Sequence, residues 1–185
     1  MSGYAELQVT TNYSFLRGAS HPEELFATAR LLGLPVLGIT DRNTLAGIVR
    51  SHQRAEEAGV RMLTGCRLDL RDGPSLLVYP QHKAGYARLC RLLSLGKGRA
   101  GKGACDLACQ DVAAHAEGLL AVLVPNQIDE ALPSRLARLR RDFEQHLSVR
   151  WSADHGNRWT SRFRFPLAVE GEGSGSGKSR GAVAV

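Results

Sequence analysis

Three short segments carry residue types capable of chemistry, and each follows an apolar run that reads as a strand. They are Gln8 to Ser14, Asp41-Arg42-Asn43 and Cys66-Arg67. In α/β folds, working side chains collect where strands end, because the loops there converge on one face of the sheet. Asp41 is the one metal-capable carboxylate in this set, and it has a second use: beside Arg42 and ahead of a helix, it suits capping of backbone amides or pairing with Arg67. A divalent cluster needs several carboxylates or neutral imidazoles converging on one point. Arginines at Arg42 and Arg67 instead bring permanent positive charge.

Other chemical signals are weaker. Lys97, Arg99 and Lys102 lie among four glycines in Gly96 to Gly103. That composition predicts a mobile basic loop whose cations would touch a phosphate backbone or simply be solvated. Cys105 and Cys109 are four residues apart, but zinc would need two further ligands, and the remaining cysteines, Cys66 and Cys90, form no second close pair. The run Gly173 to Ser179 looks like a phosphate-binding loop, yet Glu172 stands where its first glycine belongs and only six residues follow Ser179, too few for the helix such a site requires. The six histidines, His21, His52, His82, His115, His146 and His155, receive no catalytic role.

The elements that must position these groups alternate. Ala5 to Thr10 alternates apolar and polar residues as a strand. Ser20-His21-Pro22-Glu23 predicts the start of a helix running to Leu32 and closed by Gly33. Pro35 to Thr40 is a continuous apolar run, the mark of a buried strand. The pattern continues with a helix over Thr44 to Ala58, a strand over Val60 to Leu70, an Asp72-Gly73 turn and a strand over Ser75 to Tyr79. Helices over Ala84 to Leu95 and Cys105 to Ala116, a strand over Gly118 to Val124 and a helix over Gln127 to Leu147 complete it. Such alternation predicts an α/β fold with a largely parallel sheet. From Ser148 the periodicity stops, and residues 171–185 are glycine, serine and small residues. The expected division is therefore a domain over 1–147 and an irregular basic, then Gly/Ser-rich, disordered tail over 148–185.

With 185 residues, 43% of them hydrophobic, the chain can bury one modest core, and its formal charge of +6 favours anionic partners. No apolar run reaches the length of a membrane span, and the N-terminus from Met1 to Leu7 lacks the basic region and apolar core of a cleaved leader, so a cytoplasmic protein is expected.

Several ordered segments carry a resemblance. Leu7 to Gly18 resembles the first motif of the polymerase and histidinol phosphatase (PHP) domain, and Gly38 to Arg42 resembles the second. Leu63 to Leu68 resembles the segment that bears a metal-binding glutamate, and Gly85 to Leu95 the helix that follows it in bacterial C-family polymerases. Ser14 to Leu25 and Thr44 to Val49 are similar to the error-prone branch of that family. The resemblance covers residues 4–147 and implies a distorted β/α barrel of PHP type, present here in incomplete form.

It also implies what the cleft has lost. Active members carry histidines where this chain has Gln8, Thr10 and Arg42, a glutamate at Arg67, and a further histidine aligned with Ser75; Asp41 alone keeps a usable ligand. The family's DNA synthesis during damage tolerance, using Mg2+ and contacting DNA and other replication subunits, belongs to regions C-terminal to this one. The resemblance thus predicts a degenerate cleft (Gln8, Thr10, Asp41, Arg42, Arg67) with no catalytic residue and no metal, in a noncatalytic PHP module. A small metal-dependent phosphoesterase and a basic DNA- or subunit-binding accessory module are the alternatives.

Overall fold

The computed structural model describes residues 4–124, the single helical positions Ala137 and Arg141, and the strand Leu147–Val149. The expected helix over Gln127 to Leu147 and the Gly/Ser-rich tail with its phosphate-loop-like run lie outside the described residues, apart from these positions.

Among the described residues the strands form two sheets. Strands β1 (Glu6–Val9), β2 (Val36–Ile39) and β3 (Arg61–Thr64) form a parallel sheet in that order. Helices α1 (Pro22–Leu31) and α2 (Ile48–Ala58) make its crossovers and cover one face. Phe26, Ala29, Leu37, Ile39, Ile48, Ala55 and Val60 form the core between them. Burying these side chains stabilises the unit by roughly 1.5–3 kcal/mol for each large aliphatic or aromatic residue. Helix α1 begins at Pro22 with His21 as its cap residue. The His21 amide donates to the Glu24 carboxylate at 2.9 Å, so the capping signal in Ser20 to Glu23 operates one residue later than Ser20.

The second sheet departs from the expected parallel arrangement. Strands β4 (Cys66–Leu68), β5 (Ser75–Pro80) and β6 (Leu119–Val124) pair antiparallel, and β7 (Leu147–Val149) joins β6 in parallel. Helices α3 (Lys83–Arg99) and α4 (Cys109–Ala113) pack on this sheet, burying Leu68, Leu76, Leu89, Leu92, Leu107, Val112, Leu119 and Leu123 completely. β7 spans residue 148, where the sequence pattern predicts the irregular tail to begin.

The strand expected over Val60 to Leu70 is two strands in different sheets, divided at Gly65. A Cβ there would sit 2.7 Å from the Tyr79 ring and 2.9 Å from Thr40 Cγ2, so only glycine fits where the sheets approach. The sheets stay joined through the ends of β2 and β4. The Arg67 amide donates to the Asp41 carbonyl at 3.0 Å, the Asn43 amide to the Arg67 carbonyl at 2.8 Å, and Arg42 bridges Arg67.

Three helix boundaries also differ from expectation. α2 starts at Ile48 rather than Thr44, because Thr44 Oγ1 accepts the Ala46 amide and so diverts the chain into a local turn. α4 occupies only Cys109–Ala113. The residues before it are drawn into extended contacts by Asp106 N–H to the Gly96 carbonyl and Arg71 N–H to the Leu107 carbonyl. The glycine-rich segment expected to be a loop is helical through Arg99. Gly96 is buried against Cys105 and Leu107, each with an atom 2.7 Å from where a Cβ would stand, so this glycine serves close packing rather than flexibility.

Candidate functional site

The ends of β1, β2 and β4 place two carboxylates in one cleft by different means. Asp41 follows β2 and is 1% exposed. Its Oδ1 accepts the Thr11 amide at 2.8 Å and the Ser14 hydroxyl at 2.6 Å, and its Oδ2 accepts the Thr11 hydroxyl at 2.8 Å. Ser14 Oγ in turn accepts the Arg42 amide at 2.9 Å. Asp41 thus ties the β1 loop to the end of β2, satisfying buried donors that would otherwise be costly. The amide it holds is that of Thr11 in the β1 loop rather than one at the start of the following helix, whose cap residue is Gly47. The pairing expected with Arg67 does not form, because three neutral donors already hold its two oxygens. Beneath it, burial pushes the Cys66 thiol up to about 12, and the protonated sulfur donates to the Asp41 carbonyl at 3.3 Å. This cysteine is a small packed donor, not a nucleophile.

The partner of both arginines is Asp69, which sequence inspection passes over. Arg42 Nε donates to Asp69 Oδ2 and its Nη2 forms an ion pair with the same oxygen. Arg67 Nε reaches Asp69 Oδ1 at 3.1 Å, and Ser75 Oγ donates to Oδ1 at 2.7 Å while accepting Arg67 Nη2 at 3.1 Å. The Asp69 amide is held by Asn43 Oδ1 at 3.1 Å. Partial burial is the largest single influence on this carboxyl and opposes its ionisation. The Ser75 and Arg42 hydrogen bonds and the charges of Arg67 and Arg42 together outweigh it and hold the group below the usual aspartate range. The available signal is period-two spacing: Asp69 lies just past the end of β4, two residues from Arg67, with Ser75 across the turn at the start of β5.

Two adjoining cavities open over these groups. One, of about 440 Å³, is lined by Thr10, Arg17, Arg42, Arg67, Asp69 and Ser75. The other, of about 630 Å³, shares Arg17, Arg42 and Asp69 with it and is walled on the far side by Lys97, Lys102 and the intervening backbone. The structure therefore brings together Thr10, Arg42 and Arg67 of the expected cleft, and adds Lys97 and Lys102. Asp41 lies beneath the cavity rather than in its wall. Gln8 lines neither cavity; it belongs to β1, where the pairing register shifts between Glu6 and Val9. Arg99 is directed to Asp111 at 2.6 Å on α4, away from both cavities, because it falls on the other side of the α3 end.

The donor set does not fit a divalent cluster. Two guanidinium groups stand at positions where the family resemblance implies ligands, Asp69 is committed to them, and Asp41 is buried and held by Thr11 and Ser14. Among the described residues, no group of three or more histidine, cysteine, aspartate or glutamate side chains gathers to hold a metal.

The same segments carry the similarity to known proteins. The PHP domain model matches residues 6–148. An error-prone DNA polymerase 2 of Rhizobium meliloti is 56% identical over 140 residues, which is 76% of this chain. An error-prone DNA polymerase of Caulobacter vibrioides is 50% identical over 162 residues, 87% of the chain. This chain spans only 13% and 14% of the lengths of these relatives. Among solved structures, a candidate metal-dependent phosphoesterase from Bifidobacterium adolescentis superposes with a TM-score of 0.56 and an amidohydrolase from Chromobacterium violaceum with 0.55. Both are 15% identical and cover 78% of the chain, so they support the α/β fold alone. With a parallel β/α unit feeding an antiparallel sheet, a cleft at the ends of β1, β2 and β4, and a family match across 6–148, the chain belongs to the PHP domain family.

Proposed function

We propose that this chain acts as a noncatalytic PHP module of a cytoplasmic error-prone DNA polymerase, serving DNA synthesis in damage tolerance as a structural and contact domain rather than as a hydrolase. The observation that carries this reading is the pairing of Arg42 and Arg67 with Asp69, which fills the hydrolytic centre with cations. Two neighbouring guanidinium groups repel a divalent ion by several kcal/mol in a partly desolvated cleft, on the order expected for unit charges a few ångströms apart at intermediate dielectric. The module needs no metal of its own. Mg2+, in this reading, belongs to the polymerase region of a longer protein, as do the contacts with DNA and other replication subunits.

A revertant tests it. Installing Gln8→His, Thr10→His, Arg42→His and Arg67→Glu together should create manganese or zinc binding measurable by elemental analysis, while the parent chain binds no stoichiometric metal and releases no phosphate from p-nitrophenyl phosphate. Metal-dependent hydrolysis by the parent chain would replace this reading with that of a small phosphoesterase.

A further inference from the structure

The two adjoining cavities set five cations, Arg17, Arg42, Arg67, Lys97 and Lys102, around a single carboxylate, Asp69. Asp69 engages only part of that charge. It takes Nε and Nη2 of Arg42 and Nε of Arg67, leaving the Nη1 groups of both arginines without a hydrogen bond among the described residues. Arg17 is exposed and forms no ion pair among the described residues, and neither do Lys97 and Lys102. Elsewhere on the surface Arg50 and Arg54 pair with Glu23, Arg71 with Asp106, Arg88 with Glu117 and Arg99 with Asp111, while Arg30, Arg61, Lys83 and Arg91 form no ion pair among the described residues. The cleft cations differ from these four in lining two adjoining cavities together, with Asp69 as the one carboxylate in their walls. Like charges held together by the fold cost free energy that a bound anion would relieve.

We propose that this cleft is a metal-independent site for a phosphoanion, with Arg17, Arg42 and Arg67 gripping the phosphoryl oxygens from the sheet side and Lys97 and Lys102 closing on it from the end of α3. The inference rests on the cleft being noncatalytic, and it assigns that cleft a ligand. Guanidinium forks match the paired oxygens of a phosphoryl group, and a lysine supplies a point charge at adjustable distance. The size of the cavities, about 440 and 630 Å³, accommodates more than one phosphoryl group, so a pyrophosphate-like chain fits better than a single small anion. Arg17, Lys97 and Lys102 stand outside the positions at which metal ligands would occur. The site is built from the β1–α1 loop and the end of α3 as much as from the old centre.

Inorganic pyrophosphate is the probe, titrated without divalent metal into the 185-residue chain at constant ionic strength, with calorimetry reporting affinity and phosphate release recorded in the same samples. Saturable one-to-one binding is expected. Arg17→Ala and Lys102→Ala should each weaken it roughly tenfold, the scale of one lost charge-assisted contact. Arg61→Ala, at the start of β3, removes the same charge and should leave affinity unchanged. Arg17→Lys should recover part of the loss. All three positions are exposed, so the four variants are expected to fold, and unchanged circular dichroism checks this. Absence of binding at millimolar pyrophosphate, or equal weakening by Arg61→Ala, overturns the site. Phosphate release instead overturns the noncatalytic reading on which it rests. A single-stranded oligonucleotide that displaces pyrophosphate and shows the same Arg17 dependence would identify the nucleic-acid backbone as the source of the phosphoryl groups. Failure to displace would identify a free oligophosphate.

Discussion

Asp41 lies beneath the cleft and Asp69 in its wall, and the fold treats them oppositely. Asp41 is buried among neutral donors, an amide and two hydroxyls, and links the β1 loop to β2. Asp69 is partly solvated and held by two arginines and a serine at the junction with the antiparallel sheet. A buried carboxylate with saturated oxygens is a structural fastener. One surrounded by surplus cations makes a local field whose sign is positive, which is the reverse of what a metal centre needs. The difference teaches that one cleft can be held together in two ways: one carboxylate fixes the backbone beneath it through neutral donors, and the other neutralises paired guanidinium groups in its wall.

Replacing Asp41 with alanine should have the largest effect on this comparison. It leaves the Thr11 amide, the Thr11 hydroxyl and the Ser14 hydroxyl without an acceptor in a site where Thr11 is 0% and Ser14 3% exposed. Roughly 3–5 kcal/mol of stability should be lost, from the 1–3 kcal/mol typical of each stranded buried group with incomplete additivity. Urea unfolding monitored by Trp-independent circular dichroism measures it, and a loss under 1 kcal/mol would show that Asp41 is not the fastener.

Asp69→Asn should cost less, roughly 1–3 kcal/mol, because solvent reaches the arginines it abandons. It also has a pH signature. The folded-state carboxyl titrates below its unfolded value, so its contribution is complete above the ordinary aspartate range near pH 4 and is lost as pH falls through the lower folded value. The parent chain should therefore lose this increment on acidification below about pH 4, whereas the Asn variant should lack it at neutral pH and show a shallower acid limb. Parallel acid limbs for the two proteins would assign the acid sensitivity elsewhere.

Ser14→Ala falls between the two ends of the cleft, since its hydroxyl donates to Asp41 and accepts from the Arg42 amide. A loss of roughly 1–2 kcal/mol is expected from equilibrium unfolding. If the same variant also shifts the acid limb attributed to Asp69, the two carboxylates are energetically linked through Arg42 rather than independent.

Much of this was legible in the sequence. The caps and apolar runs from β1 through α2 specify the parallel unit, and the ordered motifs from Leu7 to Leu95 point to the PHP family. Local periodicity cannot state which sheet a strand joins. Val60 to Leu70 is one apolar pattern, and only the crowding at Gly65 against Tyr79 and Thr40 divides it. Antiparallel pairing of β4, β5 and β6 is likewise a long-range outcome, although the Asp72-Gly73 turn announces the first hairpin. Arg42 and Arg67 stand out in the sequence as cations where the resemblance implies metal ligands, while their shared partner is signalled only by its spacing two residues from Arg67. Asp69 matters through its contact with Arg42, 27 residues away, and that contact exists only once β2 and β4 lie side by side. Glycine composition misled at Gly96, where small size admits Cys105 and Leu107 and the helix continues.

The smallest expected effect tests whether the arginine cluster carries more cation than its carboxylate requires. In Arg67→Met the long stem is kept, so packing along β4 is largely preserved, while Nε and Nη2 are removed. Asp69 Oδ1 still receives the Ser75 hydroxyl and Oδ2 still receives Arg42, so the carboxylate is not stranded. Two contributions are lost, the 3.1 Å contact to Asp69 and the 3.1 Å contact to Ser75. Against them stands relief of repulsion between two guanidinium groups that share the Asp69 carboxylate. In a partly solvated site these opposing changes are each of order 1 kcal/mol or less, so the net shift should lie within about 0.5 kcal/mol of zero. Raising salt should narrow whatever difference remains, because it screens the repulsion that the substitution removes. A loss above 2 kcal/mol, matching that of Asp69→Asn, would mean that Arg67 and Asp69 form an obligate pair. The surplus of positive charge over the cleft would then rest on Arg42, Arg17 and the two lysines alone.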